Sequence, residues 1–323
     1  MTSEPFAVGD LVAAPVTQVS GYCSVDTGEV TMQLPVVITH GSKPGPVLAV
    51  TAGIHGGEYV SILAVREFAS GLDAATLKGT VIASLQSNPL SFERRSAFVN
   101  PLDGKNPNRA FPGDPSGNAT DRLAAWLWGN IVSRADYYVD CHCGDLPESL
   151  DGFVGVSRGG NADVDTRARE LADCFDVSHV MVTLTQGSAL RAATLAGIPS
   201  VLVEVSGQGQ RSAAEVGIQR DGLRRLATEI GVLESAGRPK RKRLPTFRTE
   251  PSVISQHAGS WFPRVVPGTS VLKDDVLGRV EDPFGAVLQD VLASIDGVVQ
   301  YGLSSLSAIK GNVLAVIARP YDE

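Results

Sequence analysis

Long apolar runs are missing from this chain. No stretch approaches the ~18 uninterrupted apolar residues that a membrane span needs, and the start, MTSEPFAVGDLVAAPVTQV, has no basic segment leading into an apolar one. No membrane partner is expected, and the expected location is the cytoplasm. Positive charge is also short: 28 Lys and Arg against 35 Asp and Glu leave a net charge of −7. The one basic cluster, Lys240-Arg241-Lys242-Arg243, reads as a solvated linker, so a nucleic-acid role has no support. Cysteine is scarce, with Cys23, Cys141, Cys143 and Cys174 making no disulfide framework in a chain this long. Reduced thiols fit that compartment.

What the chain does have is core-forming material. Its 323 residues are 43% hydrophobic, and at ~100–200 residues per domain that length suggests two domains. From residue 31 to about 234, apolar strand-like runs alternate with helical segments, the pattern of an α/β domain with a parallel or mixed sheet. VTMQLPVVIT, PVLAVTA, GTVIASLQ, ADYYVDCH, DGFVGV, HVMVTL and IPSVLVEVS read as strands, with helices expected over 58–70, 120–134, 161–175, 187–196 and 211–231. Residues 87–120 fit neither pattern, and a proline- and glycine-rich loop of that length inside a compact domain is usually functional or disordered. Its arginines, asparagines and aromatic residues argue for function.

At ESAGRPKRKRLPT the composition changes to a Pro- and Lys/Arg-rich connector, which sets a domain boundary near residue 240: 1–240 as the α/β part and 241–323 as a small β-rich domain. Within the latter, VLKDDVLGRV and AIKGNVLAVI share an apolar-Lys-turn-Val-Leu core thirty-seven residues apart and predict two matched hairpins. The layout resembles the biotinyl/lipoyl carrier fold. DGVVQYGLSS, however, offers no modifiable lysine at the corresponding hairpin tip, so a carrier role is not expected.

Histidine numbers five, so the position of each is informative. His40, His179 and His257 read as ordinary core or surface histidines. His55 and His142 instead follow predicted strands, at the end where open α/β sheets place their ligands. In TAGIHGGEYV, glycines surround His55, and Glu58 follows three residues later; in ADYYVDCHCGD, strand alternation puts Asp140 and His142 on one face, with Cys141 and Cys143 on the other. A Cys-His-Cys metal cluster would need neighbours on opposite faces to converge. His55, Glu58 and His142 make a His₂Glu set, the ligand pattern of a catalytic zinc with one position left for water, and Asp140 can orient an imidazole. Glu204, a carboxylate in the apolar strand IPSVLVEVS, is the candidate general base, catalytic or simply exposed at the strand end. Asn108 and Arg109 lie in KNPNRAFPG, where a guanidinium suits a substrate carboxylate or a developing oxyanion; the alternative is a surface arginine in a loop.

Four motifs in order, TAGIHGGE, NPNRAFPG, DCH and VEVSG, resemble the succinylglutamate desuccinylase/aspartoacylase family of the zinc carboxypeptidase-like superfamily. The resemblance implies a zinc-carboxypeptidase-like mixed sheet flanked by helices and a small all-β C-terminal domain capping the cleft. It further implies one zinc ion per chain on His55, Glu58 and His142, Glu204 as the residue that activates water, and Asn108 and Arg109 as substrate contacts. Relatives often carry a further arginine nearer the Asn-Arg motif; here Arg94 and Arg95 lie upstream, and Arg95 or its neighbour is the candidate second carboxylate anchor. The expected activity is hydrolysis of a small N-acylated amino acid or related amide. A carboxypeptidase-like peptidase is the second reading, and a non-catalytic binding protein on the same fold the third. Homo-oligomerisation, the acyl group and the amine are left open.

Overall fold

The computed structural model describes residues 4–159, 161–234 and 242–321. The boundary expected near residue 240, with Lys240 and Arg241 of the basic run, lies outside the described residues. The core of the chain is a mixed sheet whose strands run, from one edge, Ser270–Val271, Gly297–Leu303, Val313–Pro320, Thr246–Thr249, His179–Val182, Phe153–Val156, Ser200–Glu204, Tyr137–His142, Lys43–Ala52, Lys78–Ser84, Thr31–His40 and Thr17–Asp26. Four of the central strands, Ser200–Glu204, Tyr137–His142, Lys43–Ala52 and Lys78–Ser84, are mutually parallel. Such strands are buried on both faces, which is why their sequences read as apolar runs.

Alternation then sorts their side chains between two cores. Val50, Val139, Cys141, Val201 and Val203 pack under the helices Tyr59–Ser70, Ala162–Ala172 and Ala213–Glu229. On the opposite face, Ala49 and Tyr138 pack with Leu123, Ala124 and Leu127 of the helix Ala119–Asn130 and with Ala189 and Ala193 of Ala189–Leu195. All four cysteines are free and buried. Burial pushes the Cys141 and Cys143 thiols well above their usual range, so they are packing groups.

Thr17–Asp26, outside the α/β range read from the sequence, pairs residue for residue with Thr31–His40 at the sheet edge. Every second residue from Gln18 to Ser24 is exposed, so it carries little of the apolar signal that marks the buried strands. The segment 87–120 is ordered: a short helix Pro89–Arg94, capped by the Asn88 side chain, and a 3₁₀ turn Pro107–Arg109 punctuate it.

The C-terminal part has its own core around Trp261, Leu277, Val280, Leu314 and Ile317. The two matched segments share a layout but are not the expected hairpins: Ser270–Val271 and Val276–Glu281 flank one turn, Ser307–Ala308 and Val313–Pro320 the other, and in neither do the flanking strands pair with each other. In each, the short strand and the long strand join opposite sheets. No described helix is long and apolar enough to cross a membrane.

Candidate active site

The site forms because three adjacent parallel strands end together. Glu204, the last residue of Ser200–Glu204, stands in register with His142, the last residue of Tyr137–His142; Cys141 in turn faces Ala52, and three residues beyond Ala52 comes His55. Glu58 precedes the helix Tyr59–Ser70. The chain can turn this tightly because Gly56 lies against the backbone of Ser91 and Phe92, where a Cβ would collide.

His55 Nδ1 lies 2.7 Å from Glu58 Oε1, and His142 Nδ1 lies 2.9 Å from Glu58 Oε2. One donor atom from each of the three residues falls within 4.8 Å of the others, so they make a candidate metal site. The far sides of both rings are occupied. His55 Nε2 donates to Asn106 Oδ1 at 3.0 Å, and His142 Nε2 donates to Asp140 Oδ2 at 3.1 Å, which leaves each Nδ1 to face the carboxylate. Glu58 Oε2 is buried and, despite the short approach of His142, receives no well-aligned hydrogen bond. Two Nδ1 atoms converging on a buried carboxylate need a cation between them, either protons or a metal ion, and imidazole with carboxylate is a donor set that suits zinc.

The electrostatics agree. Burial alone pushes Glu58 up, but His142 and His55 together hold it below its usual range. Burial disfavours a charged His142, yet Glu58 and Asp140 raise it well above the usual imidazole value. Asp140 is anchored from behind: the Tyr138 hydroxyl donates to Thr51 Oγ1 at 2.6 Å, and Thr51 donates to Asp140 Oδ1 at 2.8 Å. Gln219, fully buried on the helix Ala213–Glu229, donates to the His142 carbonyl at 2.5 Å.

A cavity of about 410 Å³ opens beside these residues, and Arg109, Glu148, Glu204, Thr183 and Ser188 are among those lining it. Glu204 Oε2 is buried without a hydrogen-bond partner. Burial pushes this carboxyl well above its usual range, with His142 opposing and Glu58, Glu148 and Asp140 adding to the shift. Arg109 stands close enough to feel the charge of Glu204. Asn108 also lines the cavity, but its side chain is turned inward: Nδ2 donates to Asp140 Oδ2 at 3.4 Å and packs 3.1 Å from His142 Nε2, and Oδ1 accepts the Ala189 N–H at 2.8 Å. Thr249, Glu250, Ser252 and Val316 bring the C-terminal part into the cavity wall.

His55, Glu58, His142, Glu204, Asn108 and Arg109 therefore come together. Arg95 does not join them: it ends the helix Pro89–Arg94 with φ 53°, exposed, and is absent from the cavity lining, as is Arg94. Arg94 closes the last turn of that helix and Arg95 is its C-cap, so the helix, not the cavity, fixes where both sit. Sequence reasoning missed Asn106, Glu148 and Gln219. Asn106 sits two residues before Asn108 in the same motif, a spacing that could have flagged it, whereas Glu148 and Gln219 carry no comparable signal.

A family model described as the succinylglutamate desuccinylase/aspartoacylase catalytic domain matches residues 44–230. The N-alpha-acetyl-L-2,4-diaminobutyric acid deacetylase of Halomonas elongata is 28% identical over 296 residues, covering 89% of this chain and 86% of that relative. Two solved structures share the fold. A succinylglutamate desuccinylase/aspartoacylase from Rhodobacter sphaeroides superimposes with a TM-score of 0.84 at 24% identity, over 95% of this chain and 96% of the other. The product-bound ectoine utilization protein EutE of Ruegeria pomeroyi does so with a TM-score of 0.85 at 22% identity, over 98% of each.

Proposed function

Because the chain belongs to the succinylglutamate desuccinylase/aspartoacylase family, we propose that it is a zinc-dependent amidohydrolase that removes the acyl group from a small N-acylated amino acid or related amide. The observation that carries this reading is the convergence of His55, Glu58 and His142 with both outer ring nitrogens engaged, beside the unpartnered Glu204 Oε2. The first three residues would hold one zinc ion. When bound, zinc supplies Lewis acidity, which polarises an acyl carbonyl and makes water easier to deprotonate.

The protein's own groups do the rest. Glu204 takes a proton from the attacking water as the new C–O bond forms, and delivers it to the amine nitrogen as the C–N bond breaks. Its buried, undersolvated carboxyl suits both halves of that exchange. Arg109 binds the substrate carboxylate or opposes charge growing on the carbonyl oxygen. Asn108, facing the cavity from the same turn, ties Asp140 to the start of the helix Ala189–Leu195 beside His142 and so holds the site's shape around the substrate. Deacetylation of a diamino acid by the Halomonas elongata relative supports an N-acyl amino acid over a longer substrate. The peptidase reading has less support, because one wall of the cavity is made by the C-terminal part, which limits room for a polypeptide.

The test is metal analysis combined with amine release from a panel of N-acyl amino acids. Near one zinc per chain is expected, with turnover lost to a chelator and recovered on adding zinc. Bound metal far below one per chain, or full turnover after chelation, would end the proposal.

A further inference from the structure

Four carboxylates line the cavity, and three of them have cationic company. Glu58 sits between two imidazoles, Glu204 stands opposite His142 and near Arg109, and Glu250 pairs with Arg248 at 3.4 Å and with Arg319. Glu148 is the exception. It forms no ion pair among the described residues; its Oε2 accepts the Asp145 N–H at 2.8 Å, and the Tyr301 hydroxyl lies against it. Burial first, and then the charges of Glu58 and Asp145, push it up to about 7, against the relief of the Asp145 N–H and a smaller opposing pull from His55. What Glu148 lacks, among the described residues, is a guanidinium or ammonium partner.

Its position makes that deficit available to a ligand. Glu148 belongs both to the inner cavity and to a second hollow of about 510 Å³, and Phe98, Ser252 and Val316 are likewise shared, so Glu148 stands where the two meet. On the inner wall, Arg109 is the sole guanidinium or ammonium group among the described residues. A substrate with two carboxylates would need a second cation, and Arg94 and Arg95 reach neither hollow.

We propose that Glu148 is the specificity-determining residue of this site and selects N-acyl α-amino acids whose side chain ends in an ammonium group, the α-carboxylate going to Arg109 and the ammonium to Glu148. This rests on the hydrolase reading and narrows it. An ammonium exchanged for an apolar methyl leaves the half-buried carboxylate without a partner, which is expected to cost on the order of 10²-fold in kcat/KM, mostly through KM.

The experiment measures amine release by the zinc-loaded protein from 2,4-diaminobutyrate, 2-aminobutyrate and aspartate, each acylated on the α-nitrogen with acetyl and with succinyl. The diamino acid should lead, 2-aminobutyrate should follow by roughly 10²-fold, and aspartate should be poorest. In Glu148→Gln the preference for the diamino acid over 2-aminobutyrate should shrink at least ~10-fold, and Glu148→Lys should turn it toward aspartate. Turnover led by aspartate or 2-aminobutyrate overturns this inference and leaves the hydrolase standing. So does an undiminished preference in a folded, zinc-loaded Glu148→Gln. No turnover of any of the substrates overturns this inference, and the hydrolase reading is then decided by its own metal analysis and wider substrate panel. The wild-type ranking decides the matter if both variants misfold.

Discussion

Glu204 ends an apolar strand, and the fold leaves one of its oxygens buried without a donor, an arrangement that costs stability unless a ligand or water completes it. Replacing it with glutamine keeps the shape and the neighbouring ligands while removing the proton acceptor. Glu204→Gln is therefore expected to hold zinc at the wild-type ratio and to lose at least ~10²-fold in kcat, the lower range for a positioned proton transfer. Metal content and kcat measured on the same sample check this. Retained turnover would move the base role to another carboxylate lining the cavity. At this scale, legibility followed local pattern. His55 and His142 could be read because each follows an apolar strand, and Asp140 because alternation puts it on the face of His142. Asn106 acts on His55 across 51 residues and Gln219 on His142 across 77, and no periodicity marks such partners. Glu148 lies in a three-residue strand whose neighbour is some 150 residues away.

Elements turn these residues into a site by ending in the right places. The loop 87–120 is pinned to the end of another connection: the Phe111 N–H donates to the Gly187 carbonyl at 2.8 Å, and the Ala189 N–H donates to Asn108 Oδ1. Gly187 has φ +73°, and a Cβ there would strike the carbonyl of Arg109, so the close approach that sets Arg109 depends on that glycine. Gly187→Ala should push the turn Pro107–Arg109 away from the cavity while leaving His55, Glu58 and His142 in place. The expected result is unchanged zinc content with kcat/KM lower by roughly 10²-fold, since an ångström of misplacement can cost that much. Wild-type kinetics in the variant would show that Arg109 is positioned by other contacts. The same loop marks the limit of pattern reading for elements. Strands with continuous apolar runs and helices with an apolar stripe were legible, whereas this segment is held by side chains, such as Asp103 accepting from the Thr120 N–H and hydroxyl, which leave no periodic trace.

For the molecule as a whole, the decisive feature is that the α/β part and the C-terminal part, each with its own core residues, share hydrogen-bonded strands. Thr246–Thr249 runs parallel to His179–Val182 of the first part and antiparallel to Val313–Pro320 of the second. The exchange is reciprocal, because Glu148–Leu150 pairs with Gly297–Leu303. Around the first crossing, Leu244 is buried in the core of the α/β part, its carbonyl accepts from Arg169 at 2.5 Å, and its N–H donates to Asp173 at 3.0 Å. Removing the C-terminal part would strip a neighbour from His179–Val182 and open a hydrogen-bonding edge inside what is now a continuous sheet, so a truncated chain is a poor probe of its role. The intact chain offers a cleaner one. Two cores joined only by a linker would unfold separately, whereas two cores that exchange strands should unfold together. Calorimetry of the full chain is expected to give one transition, with the van't Hoff enthalpy matching the calorimetric enthalpy. Because Thr249, Glu250, Ser252 and Val316 complete the cavity wall, thermal loss of activity should share that midpoint. Two resolved transitions, with activity lost at the lower one while the other core stays folded, would mean that the shared strands do not couple the cores and that the C-terminal part is a detachable wall of the site.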